Sequence, residues 1–155
     1  MLPHAARERI FNTESGKAVL TVNETNVIEL EDDQLLLSTV RSHDQYNTIS
    51  YGLDDRYRGV RGGRRVLFIS AYDLQKRGLK DGDLVDIVSN YDGEERRAPN
   101  FRLVEYDTSK DCVTGYFPEL NVLVPLSQRA KGSKTPVSKS LIVKLEPLGR
   151  NAKDN

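Results

Sequence analysis

The chain has 155 residues, 37% hydrophobic and 30% charged, with 23 basic side chains set against 23 acidic ones. That balance excludes a global field drawing the molecule to nucleic acid or membrane, and no apolar run approaches the ~20 residues of a spanning helix. A single cysteine, Cys112, excludes an internal disulfide framework and suits a reducing compartment.

The length fits one domain with an ordinary core. Residues 1–17 are polar and broken, and read as a linker or tail. The first seven residues lack a signal-peptide core, so a cytoplasmic location is expected. Short β-rich runs follow at 18–22, 26–30, 35–40, 48–51, 66–69, 84–89, 101–106, 112–117, 121–124 and 140–145. They are rich in Val, Ile, Leu, Phe and Tyr and are separated by Gly, Asp, Asn and Pro. Only 71–77 and 127–131 have helical character. Asp92-Gly93 signals a hairpin. The pattern predicts a mainly β, closed or sandwiched architecture over 18–148. A polar, disordered tail is expected over 149–155.

The most specific stretch runs from Ser70 to Ser89. Ser70 is placed to cap a helix, with Asp73 as its acidic first-turn partner. Gly78 suits a left-handed helix end. Asp81-Gly82-Asp83 then turns the backbone, since Gly accepts positive φ and the Asp side chains bond nearby amides. Leu84, Val85, Ile87 and Val88 complete an apolar strand. This order resembles the "GD box" of double-psi β-barrels. More narrowly, it is similar to the C-terminal domain of molybdopterin-dinucleotide oxidoreductases of the dimethyl-sulfoxide-reductase and formate-dehydrogenase superfamily. The resemblance implies a six-stranded double-psi β-barrel with additional strands and one or two short helices. A faint internal echo agrees with the two related halves of such a barrel: Ile69-Ser70 ahead of 84–88, and Leu126-Ser127 ahead of 141–143.

Chemistry concentrates first in 39–48, directly after the apolar Leu35-Leu-Leu run. Ser42, Gln45, Asn47 and Thr48 offer neutral donors and acceptors, and Arg41 offers a bidentate fork for phosphate or a planar heterocycle. His43 reads as a hydrogen-bonding or stacking group. Many fixed contacts with little proton chemistry suit a large polar cofactor; the plain alternative is a polar turn. The run from Ser42 to Thr48 looks like the superfamily segment that lies against the pterin and phosphates.

Residues 51–65 hold five arginines and four glycines. Clustered guanidinium groups suit pyrophosphate, carboxylate or RNA phosphate, and Tyr51 and Tyr57 could stack on a base. Asp54 and Asp55 offset part of that field. Arg64 and Arg65 read as surface-loop residues, whereas Arg56, Arg58 and Arg61 are the better candidates, in and beside an Asp-Asp-Arg-Tyr-Arg-Gly stretch resembling the formate-dehydrogenase-alpha-like branch. Downstream, the segment 116–125 resembles the family tract whose Asn, here Asn121, reaches the dinucleotide. The segment 132–139 resembles its closing loop, with Lys139 as a point charge near phosphate and Ser133 and Thr135 as supporting hydroxyls.

His4, His43 and Cys112 lack metal-ligand spacing, and Cys112 reads as a buried inert thiol. No P-loop, Rossmann fingerprint or triad is present. The resemblance therefore implies a cofactor-binding domain of a molybdenum oxidoreductase, holding part of bis-molybdopterin guanine dinucleotide. The metal would be held mainly by the remaining domains of the parent enzyme, and the chain alone would not be catalytic. Two other readings stay open: a protein- or peptide-binding adaptor, which predicts an exposed apolar groove, and an RNA-binding module, which predicts steep salt dependence.

Overall fold

Alternating burial sets the strands, because successive side chains of a strand face opposite ways. In the computed structural model, which describes residues 4–25 and 27–149, β1 (Leu35–Val40) buries Leu35, Leu37 and Thr39 and half-exposes the residues between them. β2 (Val66–Ile69) is buried on both faces. Leu67 and Ile69 enter the main core, while Val66 and Phe68 join Val60 and Tyr116 in a second, smaller cluster. β3 (Leu84–Tyr91) and β4 (Glu94–Glu105) form a hairpin through Asp92 and Gly93, with Asp92 at φ 53°. β5 (Cys112–Tyr116) and β6 (Leu141–Pro147) complete the set. A short helix α1 (Ala5–Glu8) precedes them, and α2 (Ala71–Lys76) links β2 to β3.

The strands close into a barrel in the order β1-β5-β2-β4-β3-β6, with β6 returning to β1. β1 runs parallel to β5, β2 runs parallel to β4, and every other pair is antiparallel. The chain from β1 to β2 therefore straddles β5, and the chain from β4 to β5 straddles β2. Those two interlocked crossings make this a six-stranded double-psi β-barrel, as the sequence led us to expect.

Exchanging β1, β2, β3 for β4, β5, β6 reproduces every pairing, so the halves are related by a pseudo-twofold. This changes the internal echo. β2 corresponds to β5, so the counterpart of the β2 end that carries Ile69-Ser70 is the end of β5 and not Leu126-Ser127. The second half replaces α2 with a 3-10 turn at Asn121–Leu123 and a longer loop.

The Ser70–Ser89 reading holds in detail. Ser70 Oγ accepts the Asp73 amide at 3.1 Å, Gly78 takes φ 64°, and Gly82 takes φ 86° in the following turn.

Other expectations are corrected. Residues 18–22 and 27–30 form no strand: Leu20 is 97% and Val22 100% exposed, so nothing packs against their apolar side chains. Asn26 lies outside the described residues, as do 150–155 of the expected tail. The 48–51 run makes one isolated bridge, Tyr46 with Ser50. The 121–124 run is the 3-10 turn, because Leu120 and Leu123 must both face the core three residues apart. The 127–131 stretch is a loop closed by the Arg129–Pro136 bridge, not a helix. Among the described residues no helix is long and apolar enough to cross a membrane.

Candidate functional site

Strand polarity gathers the candidate residues at one rim of the barrel. β1 and β5 are parallel and end side by side, Val40 opposite Tyr116. β2 and β6 run against them and begin at the same end, as the Leu67–Gly115 and Leu37–Leu141 pairs show. The loop after β1 (41–48), the turn after β5 (Phe117 to Asn121), Arg64 before β2 and Lys139 before β6 therefore converge. Phe117 donates its amide to Val40 O at 2.8 Å. Thr39 donates its amide and its hydroxyl to Ser138 O at 3.1 and 3.0 Å.

Arg64 sits beneath this rim at 4% exposure, which overturns its reading as a surface-loop residue. Its Nε donates to Glu119 Oε1 at 2.6 Å, Nη1 to Ser42 Oγ at 2.6 Å, and Nη2 to Gln45 Oε1 and Phe117 O at 2.8 and 2.9 Å. The Tyr51 and Tyr116 rings lie 4.1 and 4.6 Å from the guanidinium carbon. Gln45 Oε1 also accepts the Ser42 amide, and Gln45 Nε2 donates to Asn47 O and Phe117 O. Ser42 and Gln45 are thus buried and bonded within the protein. Arg65, by contrast, is exposed and donates to Pro99 O at 2.7 Å.

A second polar cluster lies against the outer wall of β5. Asp55 is buried and accepts Arg58 Nη1 at 2.7 Å, Tyr116 Oη at 2.9 Å and the Tyr57 amide at 3.1 Å. Burial alone would raise the Asp55 carboxyl; the bonds from Arg58 and Tyr116 outweigh it and hold the group below its ordinary range. Burial, then the Asp55 carboxylate, push the Tyr116 phenol well above its ordinary value. Arg58 also donates to Arg41 O at 3.3 Å, tying this cluster to the rim loop. On the exposed side His43 stacks on Tyr57, centroids 3.7 Å apart, and Arg56 lies 4.9 Å from the same ring.

Arg41, His43, Asn47 and Thr48 are exposed at the rim. So is Lys139. Asn121 borders a groove of about 820 Å³ lined by apolar Phe117, Val124, Pro125, Leu126 and Pro136 and by polar Gln128, Arg129, Lys134, Thr135 and Ser138. No carboxylate is among its lining residues. Lys139 neighbours the groove through Ser138 without lining it. Cys112 is half-buried on β5, away from this rim; burial, then Asp111 and Asp73, raise its thiol, which keeps it protonated. Sequence reasoning passed over Arg64, Glu119 and the groove cations Arg129 and Lys134. Nothing local distinguishes them; only closure of the barrel brings them here.

Residues 35–142 match the molydopterin dinucleotide binding domain. The chain belongs to that family. Among its relatives is an uncharacterized oxidoreductase of Mycobacterium tuberculosis, 52% identical over 152 residues, the match covering 94% of this chain and 20% of the relative. The Escherichia coli K12 protein YdeP is 40% identical over 155 residues, with the same shares. The chain spans 20% of the length of the curated relatives it matches. A rationally designed protein, mkDPBB_sym2, superposes at TM-score 0.41 and 17% identity, covering 74% of this chain and 99% of that one. The double-psi assignment rests on the strand pairing.

The rim's chemistry fits a molydopterin dinucleotide. The groove falls within the roughly 300–1,000 Å³ usual for ligand sites. Its amides suit a base edge, its hydroxyls a ribose, and Arg129 and Lys134 a pyrophosphate, with no acid to repel it.

Proposed function

We propose that this chain grips the nucleotide arm of a molybdopterin guanine dinucleotide, as one domain of a larger, formate-dehydrogenase-like molybdenum oxidoreductase. The observation that carries the reading is the convergence of the 41–48 loop, Asn121 and Lys139 on one rim beside an acid-free groove. When bound, the cofactor supplies the redox chemistry at its metal; the protein supplies grip and orientation.

Each exposed residue has a distinct part. The Asn121 side chain has no hydrogen-bond partner among the described residues, so its amide is open to donate and accept at the guanine edge or ribose. Arg41, Arg56 and Lys139 offer charge to the phosphates, and Asn47 and Thr48 add neutral bonds. His43, packed on Tyr57, presents a flat face for stacking. Arg58 is neutralised by Asp55 and orients the loop through Arg41 O. Ser42 and Gln45 act from below, as anchors. In this reading 18–148 is the binding domain, 1–17 leads into it, and the parent's remaining domains hold the metal, so the isolated chain turns nothing over.

The arginine-rich loop supports an RNA reading poorly, since Arg58 pairs with Asp55 and Arg64 with Glu119. The apolar part of the groove lining, which includes the 85% exposed Leu126, favours, as second reading, a peptide-docking groove.

The test is a titration of the isotope-labelled chain with GDP, with ADP and an apolar peptide as comparisons, followed amide by amide in NMR spectra. Shifts centred on residues 41–48, 121 and 139 are expected, with GDP preferred to ADP. Asn121→Ala and Arg41→Ala should each weaken GDP about tenfold, some 1.4 kcal/mol. Shifts confined to another face, or equal affinity across the three proteins, would remove the assignment; saturable peptide binding in its place would install the adaptor.

A further inference from the structure

We infer that Arg64 is the positioning residue of the nucleotide rim. Its buried guanidinium fixes the 41–48 loop against the turn that carries Asn121; the inference rests on the nucleotide reading above.

Among the described residues, most side-chain hydrogen bonds joining these two segments, far apart in sequence, run through Arg64. On one side it holds Ser42 Oγ and Gln45 Oε1; on the other, Phe117 O and Glu119 Oε1. A direct side-chain cross-link, Gln45 Nε2 to Phe117 O, is made by a group that Arg64 itself orients, and the Phe117 amide bond to Val40 O joins the strand ends below. The anchored positions interleave with the outward ones. Ser42 lies between exposed Arg41 and His43, Gln45 lies two residues before exposed Asn47, and Glu119 lies two before Asn121. Fixing the anchors therefore fixes the directions of the ligand-facing groups.

The choice of arginine follows from this geometry. Tyr51 and Tyr116 contact its π-system, and its planar edge meets acceptors lying in several directions. A lysine ammonium reproduces neither the fork nor the stacking. Core stability does not require such a group, because a buried ion pair is commonly near neutral against apolar residues of the same volume. What it uniquely supplies is a fixed relative placement of two loops.

The experiment compares the intact chain with Arg64→Lys, and with Ser42→Ala as a milder variant that removes a single anchor. GDP affinity is read from the NMR titration well below the melting midpoint, where every protein is folded. Hydrogen exchange is followed at residues 42–47 and 117–121. A purely structural role would lower the melting midpoint and leave the affinity of the folded fraction unchanged. Positioning predicts that Arg64→Lys weakens GDP by at least about tenfold and Ser42→Ala by about threefold. Both segments should lose exchange protection together while the strands keep theirs. Should Arg64→Lys fail to fold, Ser42→Ala decides by the same readouts. Wild-type affinity in the deciding variant, or protection lost in one segment alone, overturns the inference and leaves the nucleotide reading standing. Absence of GDP shifts in the wild-type chain overturns both.

Discussion

The phenol of Tyr116, the last residue of β5, donates to Asp55 Oδ2 across 2.9 Å, joining the barrel wall to the irregular loop that covers it. Asp55 is a buried acid whose carboxyl lies below its ordinary range: burial opposes that, and Arg58 and Tyr116 prevail. With the folded value below the unfolded one, near ~3.9, the stabilisation is present above that pH and lost as pH falls through the folded value. Tyr116→Phe removes one donor, brings the Asp55 carboxyl upward, and should shift the acid limb of the melting-temperature profile to higher pH. The cost at neutral pH should be about 1 kcal/mol. Unchanged acid limbs in Tyr116→Phe and Asp55→Asn would mean the pair has no part in acid unfolding.

The same pair sets the alkaline side. Burial and the Asp55 carboxylate raise the Tyr116 phenol. Below the unfolded value of ~10 the folded state loses nothing; above it the unfolded chain ionises while the folded one resists. Stability should therefore decline above about pH 10, and Tyr116→Phe should flatten that decline in melts followed by circular dichroism.

Gly115 is where the barrel accepts the rim turn. A Cβ there would lie 2.5 Å from Leu120 Cδ1 and 3.1 Å from Val66 O. Leu120 is fully buried and Val66 O is backbone, so neither yields freely. Gly115→Ala should cost about 1–3 kcal/mol and, by displacing Leu120, disturb the neighbouring Asn121. Chemical denaturation reads the first effect, and amide shifts at 117–123 the second. A neutral substitution would show that the turn is not seated by this contact.

What the sequence made legible was whatever depends on neighbours in sequence. The cap at Ser70, the turn at Asp81-Gly82-Asp83 and the hairpin at Asp92-Gly93 all formed, because their determinants lie within a few residues. Apolar runs found β1, β2, β3, β5 and β6. The first part of β4, Glu94 to Arg97, carries no apolar signal. It is a strand because the hairpin aligns it with Ser89, Asn90 and their neighbours. Residues 18–22 show the converse, an apolar run with no partner strand among the described residues. Arg64 was illegible for a stronger reason: its acceptors lie 19 to 55 residues away, so its burial exists only after closure.

At the far end of β2 the helix cap also serves as an internal clamp. Ser70 Oγ donates to Asp73 Oδ2 at 2.6 Å, while Asp73, itself fully buried, accepts Arg77 Nη1 at 2.7 Å and the Asp111 amide at 3.0 Å. Ser70→Ala should cost about 0.5–2 kcal/mol, as lost caps do. Asp73→Ala should cost about 3 kcal/mol or more, because it removes the acceptor of both Arg77 Nη1 and the Asp111 amide, although Arg77 Nη2 keeps Gln34 O. Denaturant midpoints check the ranking; the reverse order would contradict it.

Asn121 and Lys139 separate the two halves of the proposed grip. An amide on the base or ribose acts at contact range and is insensitive to salt, so Asn121→Ala should weaken guanosine and GDP by the same factor. Lys139 acts as an exposed point charge, screened over a Debye length of about 8–10 Å near physiological ionic strength. Lys139→Gln should leave guanosine unaffected, weaken GDP by about two- to fivefold, the range of an exposed ion pair, and flatten the fall of GDP affinity with added salt. Titrations with both ligands at two salt concentrations resolve the cases. A Lys139→Gln protein that lost guanosine affinity would place this lysine at the base instead of the phosphates, and one that left the GDP salt dependence intact would take it out of the grip.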